Sequence, residues 1–278
     1  MATEQTPAPE KTGASPGPAR TTPAPGDSYV QSFARGLEVI RSFSARSPRQ
    51  TLTEVAGRTG LTRAGARRIL LTLQTLGYVE SDGKLFRLTP RILDLGFAYL
   101  SSLPIWNLAE PVMESLVDEV KESCSAAVLE GTDIVYVLRV PTHKIMSISL
   151  GVGSRLPAYC TSMGRMLLSA LPPDQMMQVL QASERTARTR YTVTDVAELA
   201  ARIAQVRRQG WSLVNQELEE GLVSIAAPIT DRTGQTIAAL NISGQANRSS
   251  AKVMQETMLP QLRAAAQAIS SRLGLQRN

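Results

Sequence analysis

The sequence predicts an α+β fold: an N-terminal winged helix-turn-helix domain, a linker helix, and a C-terminal αβ domain whose mostly antiparallel sheet is flanked by helices. Three observations carry that prediction. Residues 51–79, TLTEVAGRTGLTRAGARRILLTLQTLGYV, read as two short helices around a tight turn. Asp82-Gly83 then sits between two short apolar runs, a strong hairpin signal. Beyond residue 104, strand-like runs alternate with long amphipathic patterns, and a helix closes each end.

Residues 1–28 are rich in Pro, Ala, Thr and Gly and show no apolar period, so a disordered tail is expected there. From Tyr29, Phe33, Leu37, Ile40 and Phe43 recur at helical steps until Ser47-Pro48. The helix-turn-helix follows at about 51–76. Thr51 and Glu54 have capping-box spacing, and Val55 and Ala56 face inward. Gly60 accepts the left-handed turn, Leu61 plugs the corner, and Thr62 caps a second helix with Ile69, Leu70, Leu73 and Leu76 on its inner face. A two-stranded wing is expected over 78–89, completing a DNA-binding domain at 29–89. Thr89-Pro90 opens a linker helix over 90–103. Its apolar residues Ile92, Leu93, Leu95, Phe97 and Leu100 cover more than one face, which predicts burial in a dimer contact. Pro104 breaks it, and the last domain spans 104–278. There, strands are expected at 125–130, 133–140, 145–150, 211–218, 222–229 and 236–243. Helices are expected at about 106–122, 161–171, 173–182, 194–209 and 250–273.

Composition narrows the function classes. The chain has 278 residues, is 43% apolar and carries a net charge of +6. Residues 29–103 hold eleven Lys and Arg against five Asp and Glu, so that segment alone accounts for the excess. A basic N-terminal part on a nearly neutral C-terminal part suits a DNA reader joined to something else. No run is long and apolar enough to span a membrane, and no secretory leader is read. Cys124 and Cys160 do not have metal-ligand spacing, so a reducing cytoplasm is expected, with no metal and no cofactor.

Arg63, Arg67 and Arg68 point outward near the front of the second helix, the part that enters the major groove of double-stranded DNA. Arginine's fork matches the two acceptors of guanine and also pairs with phosphate. Thr62 offers its hydroxyl, and the helix its free N–H groups, to a phosphate. On the wing, Lys84 and Arg87 place positive charge beside the backbone. Surface decoration remains the alternative for any one of these arginines.

With these parts in order, the chain resembles an IclR-type transcriptional regulator over about residues 29–275. FARGLEVIRSF, LTEVAGRTGLTRAGARRILLTLQTLGYV, RLPAYCTSMGRMLLSAL, NQELEEGLVSIAAPI and ALNISG carry the resemblance. RVPTHKIMSISLGVGSRLPAYCTSMGR is similar to the branch, of Pca/Pob type, that controls β-ketoadipate pathway genes in response to aromatic acids. The resemblance implies a homodimer or dimer of dimers on a pseudo-palindromic operator, and makes the last domain an effector-binding domain for a small organic acid. It also implies effector contacts at Arg155, Tyr159, Ser162, Met163, Asn215, Glu217, Ser224, Asn241 and Ser243. Many members have Cys in place of Ser224 and Ser in place of Asn241, which bears on ligand identity. Arg139 and Arg155 are the cations expected to meet a carboxylate, Tyr159 an aromatic ring, and the Ser and Asn residues ring hydroxyls. Arg139 in a structural salt bridge is the competing reading.

Other classes stay open on sequence. A non-aromatic acid, or a DNA binder without ligand sensing, fits the same frame. An enzyme with a basic interaction module is opposed by the single histidine, His143, read as an exposed loop residue, and by the lack of a nucleophile–base pair. Cys160, before Thr-Ser at a helix start, reads either as a dipole-stabilised thiolate or as a small buried residue lining a pocket.

Overall fold

The computed structural model describes residues 26, 29–102, 105–142 and 150–275. The expected tail, Pro104, His143 and most of the expected strand at 145–150 lie outside the described residues. The chain divides into two compact units at Leu95/Gly96.

In the first unit α1 spans Gln31–Ser42, β1 Gln50–Thr51, α2 Leu52–Thr59, α3 Arg63–Thr75, β2 Val79–Ser81 and β3 Leu85–Leu88. The capping box forms as the spacing predicts: Thr51 N–H donates to Glu54 Oε2 at 2.7 Å, and Glu54 N–H donates to Thr51 Oγ1 at 3.3 Å. Gly60 ends α2 at φ 65°. Thr62 Oγ1 accepts the Gly65 N–H at 3.1 Å, which sets where α3 begins. Val39, Phe43, Val55, Ala56, Ala66, Leu70, Leu73 and Val79 form the core. A fully buried aliphatic side chain contributes about 1.5–3 kcal/mol, so this small core has little to spare.

Three expectations need correction here. Helix α1 stops at Ser42, five residues before Ser47, and it buries Val39 while Phe33 is 68% exposed. Leu76 caps α3 and is exposed rather than inward. The wing has three strands, because β1 adds to β3 in the order β1-β3-β2, pairing Gln50 with Phe86 and Thr51 with Leu85. A two-residue strand carries no periodic signal, so it could not be read from sequence.

A 3₁₀ turn at Pro90–Ile92 leads into α4, Leu93–Ser102. Leu93, Leu95 and Phe97 on it are 70%, 50% and 68% exposed. Among the described residues no single helix is long and apolar enough to cross a membrane.

The second unit holds α5 (Ile105–Val120), β4 (Ser123–Glu130), β5 (Asp133–Val140), β6 (Arg155–Pro157), α6 (Ser162–Ala170), α7 (Pro173–Ala182), α8 (Val196–Gln209), β7 (Ser212–Asn215), β8 (Leu222–Thr230), β9 (Thr236–Gln245), α9 (Ala251–Val253) and α10 (Leu259–Leu275). Its strands form one antiparallel sheet in the order β6-β5-β4-β9-β8-β7. Alternation splits the central strands β4, β5, β8 and β9 between two cores. On β9, Ala238, Leu240 and Ile242 face α5 and α10, whereas Ala239 faces the layer of α6, α7 and α8. A π turn at Met254–Met258 precedes α10, with Leu259 N–H reaching back to Met254 O. Pro260 explains it: the ring removes a donor and crowds the preceding turn, and the helix widens by one residue.

Strand β7 ends at Asn215, earlier than the expected 218, because Gln216 turns the chain at φ 61° and donates its N–H to Leu222 O at 2.7 Å. The short β6 was not anticipated.

Candidate functional site

The first unit presents one cationic helix end. Arg63, Arg67 and Arg68 are all exposed, and none has a carboxylate partner among the described residues. Thr62 uses an oxygen lone pair for its cap, which leaves its O–H to donate outward. An N-terminus of this kind, with free guanidinium groups on the first two turns, can meet phosphate and base edges together.

The wing differs from its sequence expectation in charge. Arg87 lies directly across from Glu80, and Arg87 Nε approaches Glu80 Oε1 at 2.5 Å with both side chains half exposed. Such a pair contributes about 0–1 kcal/mol, so a phosphate can compete for the arginine. Lys84, in the turn, is exposed. Asp82 accepts N–H bonds from Leu85 and Lys84 at 2.8 and 3.0 Å, and these hold its carboxyl below the usual range. Arg49, for which the sequence predicts no role, reaches the same groove beside Glu80 and Asp82. Only the unforeseen β1 brings it there.

The second unit contains a cavity between the sheet and the N-terminus of α6, lined by Tyr136, Arg139, Leu150, residues 160–163, Val214, Leu218, Leu222, Ser224, Asn241 and Ser243. Its volume is about 30 Å³, room for about two waters. The floor is a polar grid set by strand register. Arg139, Ser125 and Asn241 stand side by side on β5, β4 and β9, and Ser243 stands beside Ser224 on β8. Asn241 Oδ1 accepts the Ser125 N–H at 3.1 Å, and its Nδ2 donates to Ser243 Oγ at 2.8 Å. Arg139 Nη1 lies 3.4 Å from Ser125 Oγ, a long contact for so strong a donor.

The roof depends on a close approach. Thr161 caps α6 by accepting the Gly164 N–H at 3.2 Å and donates to Pro157 O at 3.0 Å. A Cβ on Gly164 would stand 2.2 Å from Ala158 O, so only glycine lets the helix start here. This places Ser162, 1% exposed, in the lining, and its Oγ has no hydrogen-bond partner among the described residues. Cys160 also lines the cavity fully buried, and burial pushes its thiol up to about 11. That outcome matches the pocket-lining reading and removes the thiolate one. Tyr136 is 4% exposed, and burial pushes its hydroxyl up to about 12.

Of the ten residues read from sequence for this site, the structure brings together Arg139, Ser162, Met163, Ser224, Asn241 and Ser243. Arg155 lies elsewhere, half exposed, with Nε 3.2 Å from Asp133 Oδ2 and Nη2 donating to Glu130 O at 3.0 Å. Tyr159 is buried in the core beside the roof, and its hydroxyl donates to Thr186 O at 2.6 Å. Asn215 is exposed at the end of β7. Glu217 is buried, and its carboxylate meets Arg165 and Arg202 rather than the cavity. Tyr136 and Leu218 were not foreseen. A tyrosine in an apolar strand and a leucine in a loop look like ordinary core.

The relatives agree with this architecture. Residues 32–83 match the IclR helix-turn-helix domain, and residues 97–271 match the bacterial transcriptional regulator IclR C-terminal domain. The Pca regulon regulatory protein of Pseudomonas putida is 44% identical over 246 residues, covering 88% of this chain and 84% of that protein. The p-hydroxybenzoate hydroxylase transcriptional activator of Acinetobacter baylyi is 34% identical over 242 residues, 85% of this chain and 89% of that protein. A putative transcriptional regulator from Rhodococcus sp. RHA1 has a crystal structure with TM-score 0.80 and 49% identity, over 88% of this chain and 98% of its own. An IclR homologue from Microbacterium hydrocarbonoxydans, crystallised with 4-hydroxybenzoate, gives TM-score 0.76 at 28% identity over 87% and 98%. The chain is therefore a member of the IclR family of bacterial transcriptional regulators, in its Pca/Pob-type branch.

Proposed function

We propose that this regulator's hold on its operator is set by a small aromatic acid bound between the sheet and the N-terminus of α6, and that it governs aromatic catabolism through the β-ketoadipate pathway. The Ser162 hydroxyl carries the reading. It is buried and, among the described residues, without a partner, in a cavity lining that also holds Arg139, Asn241 and Ser243. An unsatisfied buried polar group costs about 1–3 kcal/mol, and a ligand oxygen would remove that cost. Arg139 supplies a fork for a carboxylate, and Met163, Leu218 and Leu222 supply apolar surface for a ring. The cavity is smaller than a ring, so the acid parts roof from floor as it enters. The relative crystallised with 4-hydroxybenzoate supports the ligand class.

Arg63, Arg67 and Arg68 read the operator, with Thr62, Lys84 and Arg87 on the backbone. Two copies bind a pseudo-palindromic site, and the exposed Leu93, Leu95 and Phe97 of α4 cover one another in a homodimer or dimer of dimers. The protein works in the cytoplasm and turns over no substrate. Thermal unfolding in the presence of 4-hydroxybenzoate, protocatechuate or β-ketoadipate tests the acid: one of them should raise the midpoint, and no shift with any of the three contradicts the reading.

A further inference from the structure

Behind the cavity roof lies a buried charge cluster that the ligand reading does not use. Arg165, on the second turn of α6, and Glu217, in the β7–β8 loop, are 2% and 3% exposed. Arg165 Nη1 donates to Glu217 Oε1 at 2.7 Å and Nη2 to Oε2 at 2.5 Å, a bidentate pair across 52 residues of sequence. Arg165 Nε donates to Tyr159 O at 2.8 Å. Glu217 Oε2 also accepts the Val193 N–H at 3.1 Å, and Oε1 lies 3.3 Å from Arg202 Nη1, whose other nitrogens hold Glu198. The α7–α8 loop closes over the same point, with Thr192 Oγ1 donating to Glu217 O at 2.6 Å and Thr189 Oγ1 to Gln216 O at 2.7 Å.

The two ends of this pair sit next to the two parts of the roof. Two residues before Arg165 is Met163, the last of the 160–163 wall, and one residue after Glu217 is Leu218, the other roof contact. Gln216, before Glu217, is held at φ 61°, a conformation that a non-glycine residue keeps only when its surroundings fix it.

We propose that Arg165 and Glu217 are positioning residues for the effector cavity. They join the α6 N-terminus to the β7–β8 loop as one rigid roof and touch no ligand themselves. The inference rests on the effector reading of the cavity. A roof that moves as one body presents Ser162 and Leu218 to the acid together. Separated, each segment must be ordered at binding, and affinity falls by that cost. Because the cluster is buried, removing one partner also leaves a charge stranded, so a shape-conserving exchange of both residues is needed beside the single changes.

The test uses the full-length protein and three variants: Arg165→Lys, Glu217→Gln, and the double change Arg165→Met with Glu217→Leu. Amide hydrogen exchange reads the coupling without any ligand. Exchange should rise together in residues 160–163 and 216–222 in all three variants, while β8 and β9 stay protected. Isothermal titration with the acid that shifts the wild type should show a loss of roughly tenfold or more in affinity, even in the double variant, where no charge is stranded. Operator affinity without acid should stay at the wild-type level. Faster exchange in one segment only, or in neither, overturns the proposal. So does wild-type acid affinity in a folded variant. If the wild type binds none of the acids, the effector reading fails, and the exchange result still decides whether the roof is one body.

Discussion

Tyr136 and Arg139 stand three residues apart on β5 and still face the same cavity. In an unbroken strand they would point to opposite faces of the sheet. Val137 is the reason. Ala126 and Ala127 on β4 pair with Leu138 and Tyr136, so Val137 is an extra residue, a β-bulge. Past the bulge the alternation is inverted, and Arg139 turns in beside Tyr136 while Val140 turns to the opposite core.

This puts Arg139 in the cavity lining, where the proposed function gives it the ligand's carboxylate. Arg139→Ala should abolish or weaken acid binding by roughly tenfold to a hundredfold, the worth of one hydrogen-bonded charge. Operator affinity without acid should be unchanged. Isothermal titration and fluorescence anisotropy on the same preparation check both halves, and undiminished acid binding would remove Arg139 from the site.

What could be read from the sequence, and what could not, follows from how far each signal reaches. Thr51, Glu54, Gly60 and Thr62 act on backbone groups within four residues, so the helix-turn-helix was legible to its caps. Period-2 and period-3.6 patterns gave most of the large domain. The cavity residues on β8 and β9 were reached through the family resemblance, and the structure supplied the register that brings Asn241 beside Ser125. The bulge at Val137, the two-residue β1 and the Arg165–Glu217 pair were invisible because each depends on a contact remote in sequence. Glu217 shows the limit of such transfer: the resemblance implies an effector contact there, whereas in the structure its carboxylate is engaged by Arg165 and Arg202.

On the DNA side, Arg67→Ala should weaken operator binding by about 1–3 kcal/mol. Gel shift with the single Ala variants at 63, 67 and 68 is the check. Full affinity in all three would remove α3 as the recognition helix.

The wing pair gives a sharper contrast. Glu80→Gln frees Arg87 and should strengthen binding to specific and non-specific DNA alike, with a steeper salt dependence. Arg87→Ala should do the reverse, flattening the log–log salt slope by up to about 1. Identical slopes for both variants would place the wing off the DNA.

Gly164→Ala should destabilise the large domain by about 1–3 kcal/mol or more, because the new methyl has nowhere to go against Ala158 O. Thermal unfolding reads this directly, and an unchanged midpoint would mean that the roof is not so tightly seated.

Cys160 predicts a pH dependence of known sign. Its folded value, about 11, is above its ordinary value of 9.0, so it favours the folded state fully below pH 9 and loses that contribution as pH rises toward 11. Cys124, also buried and raised, acts in the same direction. Stability should therefore fall from about pH 9 upward. At pH 8 Cys160 should react with a thiol reagent slower than in denaturant by roughly a hundredfold, from thiolate fraction alone. Equal reactivity in both states would contradict the burial.

Under the proposed function one small acid, seated against Arg139 and Ser162, controls the grip of α3 on DNA. The direct measurement is operator affinity by fluorescence anisotropy, using the DNA upstream of the protein's own gene, with and without the acid that raises its thermal stability. The affinity should change by about 5-fold or more in the wild type, the usual scale of coupling between sites, and not at all in Arg139→Ala. An affinity that is the same with and without acid, in a wild type that binds it, would mean that the acid does not control operator binding.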